Sequence, residues 1–248
     1  MTIESEHDIA GLRRIGSIVS QVLQRMLEAA EPGMTTRELD ALGAALLAGQ
    51  GARSAPQLAY DFPGATCISL NEEAAHGIPG ERVIRAGDML NIDVSAELDG
   101  YFADTGGTRA IPPGSPLKTR LCQATQSALA EAMKVARAGQ PINSIGAAIE
   151  RVARQHGFRV IENLASHGVG RALHEEPVDI LGYHNPRDRR LLKEGMVITI
   201  EPFLSTRSRT VREATDGWTL MAAPGNLSAQ YEHTMIITLG SPLVMTLH

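Results

Sequence analysis

Two segments of this chain, RAGDMLNID (85–93) and KEGMVITIE (193–201), share a layout 108 residues apart, and each ends an apolar run on a lone carboxylate, Asp93 and Glu201. At a separation of 106, EPGMTTRELDALGAALLAGQGA (31–52) lies over RAGQPINSIGAAIERVARQHGF (137–158), with Gly33 on Gly139, Leu39 on Ile145 and Gly51 on Gly157. Ala103-Asp104-Thr105 also resembles Tyr231-Glu232-His233-Thr234, which gives each copy a second acid in a comparable place. A chain that repeats through helices and strands folds as two related αβ halves, here about 7–110 and 111–240, within a single domain spanning 1–248. Acids inside apolar strands are costly to bury unpaired. Two halves facing across a pseudo-two-fold axis would bring all four carboxylates to one central site, where divalent cations can compensate them.

The helical parts carry their own signals. Ile9, Leu12, Ile15, Val19, Val22, Met26 and Ala30 recur every three to four residues, and Ser115-Pro116 opens a second amphipathic run carrying Leu117, Leu121, Ala128, Ala132 and Val135. Thr35 with Glu38 resembles a capping box, Asn143 reads as a plain N-cap, and glycines close both short helices. Each half therefore opens with a helix pair.

The stretch NIDVSAELDGYFADT reads as a hairpin turning at Asp99-Gly100, because a type I′ turn needs positive φ at both positions. Leu98 then faces Tyr101, Ser95 faces Asp104, and Asp93 lies on the same strand face as Ser95. Asp93 and Asp104 become diagonal cross-strand neighbours, roughly 7–8 Å apart at Cα. Like charges that close call for a cation between them. His167 in SHGVG, His174 before Glu175-Glu176-Pro177, and His76 in AHGIP are the histidines set among glycines or beside acids; each can ligate a metal or donate a proton. His7, His156, His184 and His248 are taken as structural or surface residues, and His233 is ambiguous because it adjoins Glu232.

Bulk properties exclude several classes. A net charge of −5 and a pI near 5.9 argue against a sequence-independent grip on nucleic-acid phosphates. The acidic start MTIESEHDIA and the lack of an apolar run of about 18 residues point to a cytoplasmic protein with no membrane partner. Cys67 and Cys122 have no ligand spacing and read as free thiols.

HGIP (76–79), the GD-x-x-N-IDV run (87–94), DGYFADT (99–105), SHGVGR-x-x-HEEP (166–177), GM-x-x-TIEP (195–202) and SAQYEHT (228–234) together resemble the type I methionine aminopeptidases. The resemblance covers most of the chain. It implies the pita-bread fold, an α/β arrangement of two pseudo-symmetric halves with a bent, mainly antiparallel sheet and helices outside. It also implies removal of N-terminal methionine from nascent proteins and peptides, before a small second residue, by water activated between two divalent metal ions (Co, Mn, Fe, Zn or Ni). Carried over by residue, the metal ligands are Asp93, Asp104, His167, Glu201 and Glu232, with Asp104 and Glu232 bridging. Glu201 doubles as proton shuttle, and His76 and His174 contact the scissile amide.

The same resemblance places Phe62, Cys67, His76, His174 and Trp218 on the substrate, with Phe62, Cys67, His76 and Trp218 walling the methionine pocket. Three positions depart from the family pattern. Ala59 replaces a usual aromatic, although Tyr60 is adjacent; Pro56 replaces a small residue; Leu173 replaces phenylalanine. Contacts of this size shift selectivity by roughly 1–3 kcal/mol. The rivals are a proline-selective pita-bread aminopeptidase or dipeptidase, whose relatives usually carry an extra N-terminal domain, and a non-catalytic peptide-binding protein on the same scaffold, which would have lost ligand carboxylates. A monomer is expected. Transient ribosome contact, implied by work on nascent chains, would have to use the Arg187, Arg189 and Arg190 cluster, which otherwise reads as a solvated loop.

Overall fold

The computed structural model describes residues 1–247; His248 lies outside the described residues. Among the described residues five helices form: α1 (Glu6–Ala29), α2 (Thr36–Gly49), α3 (Ala55–Tyr60), α4 (Pro116–Val135) and α5 (Asn143–His156). Along α1 the stripe Leu12, Ile15, Val19, Val22 and Met26 is buried, and Ser5 with Asp8 closes a capping box at its start. The expected box at α2 is present, with Thr35 N–H on Glu38 Oε2 (2.8 Å) and Glu38 N–H on Thr35 Oγ1 (3.2 Å). Ser115 caps α4 ahead of Pro116, but Leu117 points outward and is exposed.

One cap differs from expectation. Asn143 is the first helical residue of α5, not its N-cap, and Ile142 precedes it without a side-chain bond. The reason is a competing use of the amide: Asn143 Nδ2 donates to Asn185 O (3.0 Å) and Asp188 O (2.8 Å), pinning that loop. The arginine cluster is partly consumed there too, since Arg190 donates to Asp188, Val178 O and Asp179 O.

The hairpin has the expected register. Strands Met89–Leu98 and Tyr101–Ala110 pair antiparallel with Leu98 opposite Tyr101, Ser95 opposite Asp104 and Asp93 opposite Gly106. Asp99 (φ 52°) and Gly100 (φ 80°) make the turn. Cys67–Leu70 lines the other side of the first strand, setting Cys67 against Asp93. Farther along, His233–Ile236, Val197–Ile200, Ala165–Gly168 and Glu175–Leu181 are successive neighbours in one antiparallel sheet. Threonine hydroxyls stitch the two systems together. Asp104 N–H donates to Thr234 Oγ1 (2.9 Å), which donates back to Asp104 O (2.8 Å). Gln230 N–H and Gln230 O make the same reciprocal pair with Thr108 Oγ1.

Matched backbone bonds recur at the repeat spacings. Gly33 N–H and Gly139 N–H, both at positive φ, donate to Ile84 O and Leu192 O, while Ile84 N–H and Leu192 N–H return to Met34 O and Gln140 O. Ala52 and Phe158 donate to Leu47 O and Ala153 O, 106 residues apart in each case. The apolar core likewise divides, one cluster under α1 and α2 and another under α4 and α5. These correspondences support a chain of two related halves. No helix among the described residues is long and apolar enough to cross a membrane, and Cys67 and Cys122 are free.

Helix α5 seats on the 175–181 strand through Gly146, where a Cβ would meet Tyr183 O at 2.2 Å and Leu181 O at 2.4 Å. Gly146→Ala is therefore expected to destabilise by about 1–3 kcal/mol. Gly49→Ala, with nothing within 4 Å, is expected to be neutral or stabilising by up to about 1 kcal/mol. Urea unfolding of the two variants beside the parent checks the contrast.

Candidate metal centre and peptide cleft

Alternation along Met89–Leu98 sends Ile92 and Val94 into the core at 0% exposure and turns Asp93 and Ser95 into a cleft of about 440 Å³. Asp104, opposite Ser95, reaches the same space from the next strand. His167 and Glu201 enter from the second half, and Glu232 lies beneath at 1% exposure. Ligand atoms of Asp104, His167 and Glu232 fall within 4.8 Å of one another. His167 Nε2 is 3.9 Å from Asp104 Oδ2 and 3.4 Å from Glu201 Oε1. All five residues singled out in the sequence thus converge.

Each ligand candidate is held by a neighbour. His167 Nδ1 donates to Gly168 O (2.9 Å), so the lone pair is on Nε2, facing the acids. Thr199 accepts from His167 N–H (3.2 Å) and donates to Glu201 Oε1 (3.2 Å). Gln230 Nε2 donates to Glu232 Oε2 (2.9 Å), and Asn91 Nδ2 donates to Gln230 Oε1 (2.8 Å). Gly106 leaves room for this amide, because a Cβ there would stand 2.2 Å from the Gln230 amide oxygen and displace it. Asn91, Thr199 and Gln230 were not anticipated, although the signal was present. Each is a polar residue two positions before an acid, on the same strand face as Asp93, Glu201 and Glu232.

Charge is badly out of balance in this space. Burial first, and mutual repulsion second, pushes the carboxyls of Asp93, Glu201 and Glu232 well above the ordinary range. Burial likewise lifts Asp104 to about 6. His167 is kept neutral, down to about 3, by burial and then by the neighbouring His174. Asp104 Oδ1 and Glu232 Oε1 are buried with no hydrogen-bond partner. Oxygen-rich donors, one neutral imidazole and two orphaned carboxylate oxygens suit hard or borderline divalent cations. The residues present fit such a centre.

Beside it lies an apolar recess. Phe62 meets Trp218 edge to face, centroids 5.2 Å apart, and Cys67, Leu173, Phe203 and Pro56 add to the lining. Trp218 is presented by a turn in which Asp216 accepts from the backbone N–H of both Trp218 and Thr219. Leu220 then pairs with Ala75, which draws Trp218 toward His76. His76 takes positive φ (54°), and the following Gly77 packs on Ile68 O, where a Cβ would come within 2.2 Å. His174 faces the cleft from the other half, its ring 4.1 Å from that of His167. Its loop is tied down by Arg171, which stacks on Tyr101 and donates to Asp8 (2.6 Å). Ala59 is exposed and outside the lining; Tyr60 is the aromatic that reaches the cleft. His233 turns away, its Nδ1 on Thr246 Oγ1 (2.9 Å), which makes it a structural residue.

Residues 10–239 match the metallopeptidase family M24. Methionine aminopeptidase 2 of Bacillus subtilis (strain 168) is 44% identical over 247 residues, covering 99% of each chain. The chain belongs to the M24 metallopeptidases, among the methionine aminopeptidases. The crystal structure of a methionine aminopeptidase from Thermotoga maritima superposes with a TM-score of 0.95 at 29% identity, covering 100% of both chains. A prolidase from Pyrococcus furiosus shares the fold alone, at a TM-score of 0.79 and 22% identity over 66% of its length. The pita-bread architecture expected from the sequence is therefore the observed one. As an M24 metallopeptidase this protein is a hydrolase that uses divalent metal.

Two outcomes follow from the charge imbalance. Carboxyls that hold protons more tightly folded than unfolded lose stability as pH rises, whereas buried neutral histidines act oppositely only below about pH 6.5. From pH 6.5 to about 8 the metal-free protein should lose stability, and added Mn²⁺ should raise Tm by more at the higher pH. Thermal unfolding reads both; an increment that shrinks with pH contradicts the reading. Gly106→Ala, by displacing Gln230 from Glu232, should weaken metal affinity about 10- to 100-fold in calorimetric titration.

Proposed function

We propose that this chain removes the N-terminal methionine from peptides and nascent proteins whose second residue is small, using two divalent cations held by Asp93, Asp104, His167, Glu201 and Glu232. The observation that carries the reading is the apolar recess of Phe62, Cys67 and Trp218, ending beside buried, unpartnered carboxylate oxygens. An unbranched apolar side chain fits that recess while its own free α-amine meets the acidic centre. Such a geometry restricts cleavage to the first residue.

The bound cations would supply an activated water and polarise the scissile carbonyl. Glu201, one oxygen held by Thr199, is the group placed to accept a proton from that water and pass it to the departing amine. Asp104 and Glu232, each with a buried oxygen lacking a hydrogen-bond partner, would help hold the cations. His76 and His174 approach from opposite halves and, as neutral imidazoles, donate to the carbonyl oxygen as negative charge develops on it. Pro56 and Leu173 both line the recess, so their departures from the family pattern fall where selectivity is set.

Chelated enzyme supplied with Mn²⁺, Fe²⁺, Co²⁺, Zn²⁺ or Ni²⁺ should cleave Met-Ala-Ser and leave Leu-Ala-Ser and Ala-Pro nearly untouched. Preference for the proline peptide would transfer the chain to the proline-selective reading, and silence with every metal would favour a binding protein. Asp104→Asn should lose metal and activity together. His174→Ala should keep its metal and lose about 10²- to 10⁴-fold in kcat; equal metal loss in both variants would contradict the division of roles.

A further inference from the structure

Three neutral imidazoles crowd the cleft, and for His174 the useful property is which nitrogen carries the proton. A neutral imidazole has one donor and one acceptor, and the partner of one nitrogen decides the state of the other. For His167 that partner is Gly168 O. For His174 it is the hydroxyl of Tyr60, 2.7 Å from Nδ1, and among the described hydrogen bonds neither group has another side-chain partner.

We propose that Tyr60 is a positioning residue that donates its hydroxyl proton to His174 Nδ1 and so leaves the proton of His174 on Nε2, aimed at the substrate carbonyl. The inference rests on the role assigned to His174 above. Phenol is a better donor than acceptor, and partial desolvation at the cleft rim raises the hydroxyl pKa, keeping it protonated. Were the bond reversed, Nε2 would present a lone pair to an oxygen gaining negative charge, which repels instead of stabilising.

The local backbone is built for this placement. Tyr60 ends α3, and Asp61 follows in the left-handed region (φ 55°), its N–H on Gln57 O and that of Phe62 on Pro56 O. The turn sends Phe62 inward at 3% exposure against Trp218 and leaves Tyr60 on the rim at 45%. A tyrosine that exposed contributes little to the core, yet its ring leans on that of His174 (centroids 5.5 Å apart) and its polar atom is committed to it. The bond also joins elements 114 residues apart, one from each half.

Tyr60→Phe keeps the ring and removes only the hydroxyl. In metal-loaded enzyme it should lower kcat on Met-Ala-Ser about 10- to 100-fold, with KM and metal content within about two-fold of the parent. In a His174→Ala background the same change should have no further effect. Nitrogen-15 spectra of the parent should show His174 protonated on Nε2, and of Tyr60→Phe a mixture of tautomers. A kcat within two-fold of the parent, an equal loss in the His174→Ala background, or Nδ1 protonation in the parent overturns the proposal. Nε2 protonation that depends on Tyr60, in an enzyme that cleaves no methionyl peptide, would leave the positioning intact and reject the functional reading instead.

Discussion

Four carboxylates and one neutral imidazole share a buried space with no lysine or arginine among the described residues that line it, and most of the structure can be understood as the means of holding that arrangement. Repulsion and desolvation would scatter the acids if they stood on flexible segments. Asp93 and Asp104 stand instead on strands, and Glu201 and Glu232 directly beside strand ends; the neighbouring Ile92, Val94, Ile198 and Ile200 are fully buried, so turning an acid outward would turn an isoleucine or valine into water. Apolar burial on one face thus holds charge on the other, until cations compensate it.

The two halves meet where that tension is greatest. Reciprocal bonds through Thr234 and Thr108 bind the strand carrying Asp104 to the segment carrying Glu232, and Glu232 N–H reaches Gly106 O (3.0 Å). Hydroxyls serve this junction well, because one group both donates and accepts and so closes two backbone positions at once. Asn91, Thr199 and Gln230 extend the same device to the ligands, setting their orientation before any cation arrives. Selectivity is assembled differently, on short irregular pieces: the one-and-a-half-turn α3, the Asp216 turn and the Arg171 loop. Changes such as Ala59, Pro56 and Leu173 are confined to those pieces or their edges, away from the strands and strand ends that carry the metal centre.

Much of this was legible in the residues alone. Period-2 alternation and the Asp99-Gly100 turn are local properties, so the register that sets Asp93 diagonal to Asp104 could be derived, and so could the capping box of α2 and the stripe of α1. The 106- and 108-residue spacings announced two halves because equivalent glycines need positive φ in both. The structure differs at two positions, and a distant partner accounts for the first. Asn143 left its expected cap for carbonyls at 185 and 188, and Leu117 remained outside the core that the helical period assigned it.

The chain by itself thus determined which residues carry charge into apolar strands and which family pattern they follow, since both depend on neighbours a few positions apart. Only the tertiary structure decided that Glu232 is steadied through Asn91, that His233 turns to Thr246 instead of the metal centre, and that Tyr60 meets His174. Those choices depend on hydrogen bonds between groups far apart in sequence, and short-range periodicity carries no information about which distant polar atom will be in reach.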